Sequence, residues 1–416
     1  MDGFAIGGNG ARRRAPSFGR VALGWAVAGW IVAAGVPLTA VPALGSSLLA
    51  PAVGTADGAT QGTRVADPHT PASALFANPA GLVQFDTFTS SSDLGIGFGQ
   101  GRIEASAPPT YDEANNMWTI VPDFGLSIPY GGRWRFAIGS YGSTGSTFDY
   151  DDDPAAGVPD FFSETIVLAF PLGVAYRLTD QIAVGAGVET LYGQLRTHFT
   201  QEDLFFRYKI NGVGVQGMVG LAVHPVESWG VGLSVRVPGM IWMDGSMPVP
   251  GAGRQDVSVD LLMPTQVFLG ATWHCTHRLT VSGSIRFTDA STLGDSTIEY
   301  ELTPQANIGF IPEAKDEWRF ALAGEYALRE QLMVRVGASW ASSIVGTAGM
   351  SPLAWDGNDA KISVGLGRRY DHWAFDAMAG YLLPTERRVT SAEALVLPGK
   401  YSLQGGIFQL GVTYRY

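Results

Sequence analysis

The chain has 416 residues, of which 16% are charged against about 25% in an ordinary soluble domain, with 11% aromatic residues, 54 glycines and a net charge of −11. An acidic chain of this kind has no basic face for nucleic acid, and its low charge content suits a non-aqueous neighbour. Cys275 is the single cysteine, which excludes an intramolecular disulfide.

The first residues read as a targeting segment. Arg12, Arg13, Arg14 and Arg20 make a basic region, residues 21–36 an apolar one, and Val41-Pro42-Ala43 supplies small residues at a cleavage point, so residues 1–43 are expected to be a signal peptide. The apolar run is shorter than the roughly 20 residues a spanning helix needs. Beyond residue 43 no apolar run approaches that length, so a membrane-spanning part must be made of strands. Residues 44–84 are rich in Gly, Ala, Ser, Thr and Pro and follow neither a helical nor a strand period. Asn78-Pro79-Ala80-Gly81 closes them, and Asn78-Pro79 marks a turn before the first strand.

From about residue 85 onward the pattern is two-residue alternation, which places successive side chains on opposite sheet faces. Trp134, Phe136 and Ile138 oppose Arg135, Ala137 and Gly139. Trp229, Val231, Leu233 and Val235 oppose Gly230, Gly232, Ser234 and Arg236, and Trp318, Phe320, Leu322 and Tyr326 oppose Arg319, Ala321, Ala323 and Glu325. One face is apolar with aromatic ends; the other is expected to be small and polar. Aromatic residues at both ends of an apolar band match the two lipid interfaces of a transmembrane barrel. Tight links at Gly131-Gly132, Thr179-Asp180, Glu227-Ser228, Cys275-Thr276, Arg329-Glu330 and Tyr370-Asp371 alternate with long ones at 100–116, 149–161, 200–204, 238–253, 290–316, 342–358 and 384–404. Short periplasmic turns and long external loops predict an all-β fold, a transmembrane antiparallel barrel of about fourteen strands over residues 85–416 in a bacterial outer membrane.

The motifs that suggest other chemistry fit poorly. Gly212-Val213-Gly214-Val215-Gln216-Gly217 has dinucleotide spacing but lies in a strand with no helix after it. His274-Cys275-Thr276-His277 lacks zinc-ligand spacing and reads as a turn, so neither a metal nor a cofactor is expected. No Ser, His and carboxylate set stands out, and the chain is not expected to be an enzyme. Asp149, Asp151, Asp152 and Asp153 form an acidic run in an expected external loop, read first as a solvated loop, with divalent-ion bridging to lipopolysaccharide as the alternative. The inward charges, Arg135, Arg319 and Arg335 among them, either brace the barrel interior or meet a substrate carboxylate.

Several stretches carry a family resemblance. They are the run Ala72-Ser73-Ala74-Leu75-Phe76-Ala77-Asn78-Pro79-Ala80-Gly81-Leu82, the run from Pro171 through Thr179, Trp229-Gly230-Val231-Gly232, Leu262-Met263-Pro264, Glu317-Trp318-Arg319-Phe320, and the aromatic last strand. Together they resemble the outer-membrane transporters of long-chain fatty acids and aromatic hydrocarbons, the FadL/TodX type. The resemblance implies a fourteen-stranded barrel in which residues 44–84 fold inside as a hatch. It further implies passive uptake of a hydrophobic small molecule, captured by external loops and released sideways through a kink in the third strand, where Gly139, Tyr141 and Gly142 lie. Outer-membrane lipid and lipopolysaccharide would be its surroundings, and the protein is expected to be a monomer. The alternative is an outer-membrane structural, adhesive or receptor protein without transport.

Overall fold

The computed structural model describes residues 50–106, 112–150, 161–201, 204–249, 253–302, 304, 307–311, 313–347, 349–350, 356–390 and 398–416. The expected signal peptide, the start of the expected hatch at residues 44–49, and Asp151, Asp152 and Asp153 lie outside them. Two short helices come first, α1 (Thr55–Ala59) and α2 (Pro71–Ala77), followed by a 3-10 turn over Pro79–Gln84. The strands are β1 (Thr89–Ala105), β2 (Asp112–Tyr130), β3 (Trp134–Tyr150), β4 (Phe161–Arg177), β5 (Ile182–Gln201), β6 (Leu204–Val226), β7 (Trp229–Arg236), β8 (Gly239–Val249) and β9 (Gly253–Met263). They continue with β10 (Gln266–His274), β11 (Leu279–Thr288), β12 (Thr297–Tyr300), β13 (Ile308–Gly309), β14 (Glu317–Arg329), β15 (Leu332–Ala341), β16 (Asp359–Tyr370), β17 (Trp373–Val389) and β18 (Gly399–Arg415).

All pair antiparallel in one sheet, and β18 closes on β1 from Thr89↔Arg415 to Ala105↔Gly399. Closure removes the edges that hydrocarbon could not hydrogen-bond. β8 continues β7, and β10 continues β9, while β12 and β13 belong to an external connection, so the wall is a 14-strand barrel. At the tight end Gly131 and Gly132 both adopt positive φ, 60° and 76°, a conformation that a side chain would strain.

The alternation read from the sequence holds on the wall. Trp134, Phe136 and Ile138 are exposed toward lipid while Arg135 and Ala137 are buried inside. It fails at one place, and the failure is informative. In β7 the inward residues are Gly230, Gly232, Ser234 and Arg236; in β8 they are Ile241, Met243 and Met247. The same change separates β9, with Val257, Val259, Leu261 and Met263 inward, from β10, with Gln266, Phe268 and Gly270 inward. An extra residue at each break, beside Pro238 and Pro264, shifts the two-residue period by one and exchanges the faces. Beyond the breaks Asp244, Asp256 and Asp260 point outward, so this part of the wall stands in water and carries its apolar face inside. Residues 238–253, read from the sequence as a long loop, are therefore mostly hairpin, and the inner face is not uniformly small and polar.

Neither break leaves its backbone unpaired. Gln216 on β6 donates from Nε2 to the carbonyl of Val237 at 2.8 Å and to that of Pro264 at 3.1 Å. Gln216→Leu removes the donor from two buried carbonyls and is expected to cost about 1–3 kcal/mol. A urea-unfolding titration of the refolded barrel in lipid checks this; an unchanged midpoint would show that the breaks are held otherwise.

Candidate functional site

The N-terminal segment lies against the inner wall, and the wall is cut to receive it. A Cβ on Gly125 of β2 would stand 2.2 Å from the Ala72 backbone nitrogen, and one on Gly185 of β5 would stand 2.3 Å from that of Ala80. Only glycine permits such approach. Asn78 is fully buried and does three jobs at once. Its Oδ1 accepts the Ala80 N–H at 3.0 Å, and its Nδ2 donates to the carbonyls of Val65 and of Leu221 on β6, each at 3.0 Å. Pro79 opens the 3-10 turn, and Gly81 leaves room for the Pro68 ring. Thr70 and Ser73 form a reciprocal capping box at the start of α2, with Pro71 in its first turn. The residues 67–71 thus set the entry to this helix.

Charged side chains of the wall hold the segment's lower part. Asp93 and Asp123 are direct cross-strand partners on β1 and β2. They accept the Thr55 N–H at 2.8 Å and the Gly54 N–H at 3.1 Å, donors that the first turn of α1 cannot satisfy itself. Glu325 of β14 gathers three cations: His69 Nε2 at 2.8 Å, Arg335 Nε at 2.9 Å and Arg64 at 3.0 Å. His69 Nδ1 faces Asp57 at 3.1 Å, and Arg335 reaches Asp376 at 2.6 Å. His224 Nε2 meets Asp67 at 2.6 Å. The histidines share no spacing, yet two of them converge on this segment.

The sequence-selected residues separate into different places. Arg135 is a clamp where the segment leaves the lumen: its Nε donates to the Phe85 carbonyl at 2.8 Å, and its guanidinium pairs with Asp86, which also meets Arg177 at 2.9 Å. Arg319 lies among Glu317 at 3.5 Å and Asp359 at 3.4 Å, and Arg335 belongs to the Glu325 group. All three are braced by carboxylates. Tyr141 alone sits at the centre. It packs edge-on to Phe76 of α2 with ring centroids 5.4 Å apart, and Phe76 packs likewise on Phe268 of β10 at 5.8 Å. Arg236 ends β7 beneath them and donates to the Phe76 carbonyl at 2.8 Å and to the Tyr141 hydroxyl at 3.1 Å, with Glu189 of β5 at 3.2 Å as its counterion. Its guanidinium carbon lies 5.1 Å from the Phe76 ring centroid.

Phe268 and the pairing of Arg236 with Glu189 escaped sequence reasoning. The available signal was that Arg236 and Phe268 flank the two prolines where the alternation breaks. Above this cluster the buried inner face is apolar, with Ile241, Met243, Leu261 and Met263 among its residues. Beside Phe76 and Phe268 a cavity of about 20 Å³ remains, bounded by Val53, Gln61, Arg286 and Arg319. That is space for a water and not for a solute.

On the side of β3, Tyr141 and Gly142 pair with Ala169 and Leu168 of β4, and Ser143 is an extra residue before Thr144↔Val167. The β2–β3 ladder runs from Tyr130↔Trp134 to Phe124↔Ser140, and among the described residues it goes no further. Ser143 is not left bare, since its carbonyl accepts the Ala50 N–H at 3.0 Å.

Comparison with known proteins agrees with this architecture. The family described as outer membrane protein transport protein (OMPP1/FadL/TodX) matches residues 45–416. Among solved structures, a Pseudomonas aeruginosa FadL homologue superposes with a TM-score of 0.77 at 16% identity, covering 88% of this chain and 99% of that one. The P. putida toluene transporter TodX gives 0.70 at 16%, covering 89% and 99%. The Ralstonia pickettii toluene transporter TbuX gives 0.67 at 17%, covering 88% and 99%. No curated protein matches the chain in sequence.

The contacts of His69 make the hold on the segment pH-dependent. Burial opposes its charge, but the carboxylates of Glu325 and Asp57 outweigh burial and raise its pKa above the usual 6.5. A raised histidine pKa contributes stability fully below about 6.5, and that stability is lost as pH rises through the folded value. Asp67 does not contribute in that window: burial favours its neutral form, but His224 and Arg64 prevail and hold it at about 2. Hydrogen exchange of the α1 amides, corrected for intrinsic rate, is expected to quicken as pH is raised above neutrality. In His69→Gln the exchange is expected to be fast at every pH; a wild-type profile in that variant would assign the effect elsewhere.

Proposed function

This chain belongs to the OMPP1/FadL/TodX family of outer membrane transport proteins, channels for hydrophobic compounds and not enzymes, and we propose that it admits uncharged hydrophobic molecules passively and releases them sideways into the membrane. The relatives TodX and TbuX are toluene transporters by description, which fits an aromatic or other hydrocarbon as cargo. Residues 1–43 act as the export signal, 44–84 as the hatch, and 85–416 as the channel wall.

The observation that carries the reading is the interrupted seam between β2 and β3. Unpaired backbone in hydrocarbon costs several kcal/mol per group, so a wall that stops pairing at Phe124↔Ser140 spends stability there for a use. The extra Ser143 bends β3 away from β2 at that height. Ser140 lies at the last paired level and Gly139 one level below it, Tyr141 and Gly142 come directly above, and Tyr141 joins the seam to Phe76 of the hatch. A solute would descend the apolar upper lumen to the Phe76, Tyr141 and Phe268 rings and leave beside Ser143 once the hatch shifts. No energy source is required, because the molecule moves from a dilute aqueous phase to lipid.

The charge arrangement supports an uncharged cargo over a long-chain acid. Arg236 is matched by Glu189, Arg286 by Glu317 at 3.0 Å, and Arg319 by Asp359. A substrate carboxylate would have to displace one of these buried partners, a loss of about 3–5 kcal/mol.

Deleting Ser143 sets Gly142 and Thr144 next to each other opposite Leu168 and Val167 and makes the β3–β4 ladder continuous. Cells carrying the deletion are expected to take up toluene no faster than cells lacking the protein, with the barrel still folded on unheated gels. Undiminished uptake would exclude the seam as the exit. Wild-type cells are expected to take up toluene in preference to oleate, and Glu189→Gln, which leaves Arg236 without its counterion, is expected to narrow that preference. Oleate uptake equal to toluene uptake in the wild type would overturn the uncharged-cargo reading while leaving the channel intact.

A further inference from the structure

Outward-facing charge is costly on the wall of a membrane barrel except near the interfaces. On β16 the outward row runs Ile362, Val364 and Leu366, each about half exposed, and then reaches Arg368 at the end with the short turns. Cross-strand partners share a sheet face. The register Arg329↔Leu332 and Leu332↔Arg368 therefore sets two arginines on the outer face, one on each side of Leu332. The guanidinium carbon of Arg368 lies 4.6 Å from the Tyr370 ring centroid, within the lower aromatic belt that also holds Trp373 and Tyr414. Between the arginines is an open hollow of about 380 Å³, lined by Arg329, Glu330, Gln331, Leu332 and Arg368. Among the described residues neither arginine has a carboxylate partner. Glu330 leaves the hollow with one net positive charge.

One strand to the side of the hollow, the wall above is grooved. The next outward row passes from Leu366 through Ala377 to Leu410, and the one above it from Val364 through Ala379 to Phe408. Two alanines in line on β17, flanked by large side chains on both neighbours, leave a trough along the strand. Its lower end lies at Phe375, the partner of Arg368. A positive hollow at the headgroup level with an apolar trough one strand over at the acyl level has the chemistry of a lipid and not of a soluble ion.

We propose that this surface binds a singly anionic glycerophospholipid of the inner leaflet, its phosphate between Arg329 and Arg368 and one acyl chain along Ala377 and Ala379. Two guanidinium forks suit phosphate oxygens, and Glu330 disfavours a second negative charge on the headgroup. The site lies on the lipid face, apart from the seam and the lumen, and it does not depend on what the channel carries.

Native mass spectrometry of the full-length barrel in neutral detergent tests this, with phosphatidylglycerol, phosphatidylethanolamine or phosphatidylcholine added at equal concentration. The wild type is expected to retain one phosphatidylglycerol in excess of either zwitterionic lipid. The Arg329→Gln, Arg368→Gln double variant is expected to bring that ratio to one. Ala377→Leu fills the trough from outside the fold and keeps both arginines, and it is expected to do the same; gel mobility of unheated samples verifies that both variants are folded. Excess inorganic phosphate is expected not to displace the lipid. Equal retention of the three lipids by the wild type, an unaltered ratio in either folded variant, or displacement by phosphate alone overturns the proposal.

Discussion

Backbone hydrogen bonds in hydrocarbon have no water to fall back on, and every irregularity of this barrel is shaped by that constraint. The wall closes through β1 and β18, so no edge is left. Where prolines interrupt it at Pro238 and Pro264, the side-chain amide of Gln216 supplies the missing donor to both adjoining carbonyls. Where β3 bulges at Ser143, the backbone of the hatch supplies it. Departures from the ladder are therefore not scattered flaws. The breaks at Pro238, Pro264 and Ser143 each sit beside a group that answers for them, whereas the stretch of β2 facing β3 above Phe124 is the departure the proposed exit uses.

The interior has two storeys with different cohesion. The lower one is polar: Asp93, Asp123, Glu325, Arg335 and Asp376 face inward and find partners in the hatch or in one another. Buried ion pairs contribute little net stability but are costly to break singly, so they fix one docking geometry instead of a range of them. The upper storey holds an apolar cluster rich in methionine, whose flexible thioether side chains adapt to differently shaped contacts, beside the ion pairs of Lys361 with Asp359 and Arg387 with Asp356. Arg236 marks the boundary. It is bound to the hatch carbonyl, to Tyr141 and to Glu189, and it supports the Phe76 ring from below.

Much of the wall was legible because lipid and lumen impose opposite demands on successive residues, as at Trp134 to Ile138. The segment 238–253 misled for a physical reason. Its apolar and acidic residues also alternate, but with the acidic ones outward, a pattern that belongs to wall standing in water. The proposed hatch is marked by the Asn78-Pro79-Ala80-Gly81 run only through its likeness to a family. Composition alone does not predict that Asn78 would join Val65 to Leu221. Charge partnerships were the least accessible part, because His69 and Glu325, or Arg236 and Phe76, are brought together by barrel closure across most of the chain. Arg135, Arg319 and Arg335 are buried inside the wall, and their carboxylate partners favour the bracing alternative.

The first turn of α1 is bound by Asp93 from the first strand and Asp123 from the second, and Asp123 also accepts an N–H of Gln409 from the last strand at 3.1 Å. The segment is thus held by two carboxylates of consecutive strands, and Gln409 fixes one of them only once β18 has paired with β1, so closing the wall also sets the seat of α1.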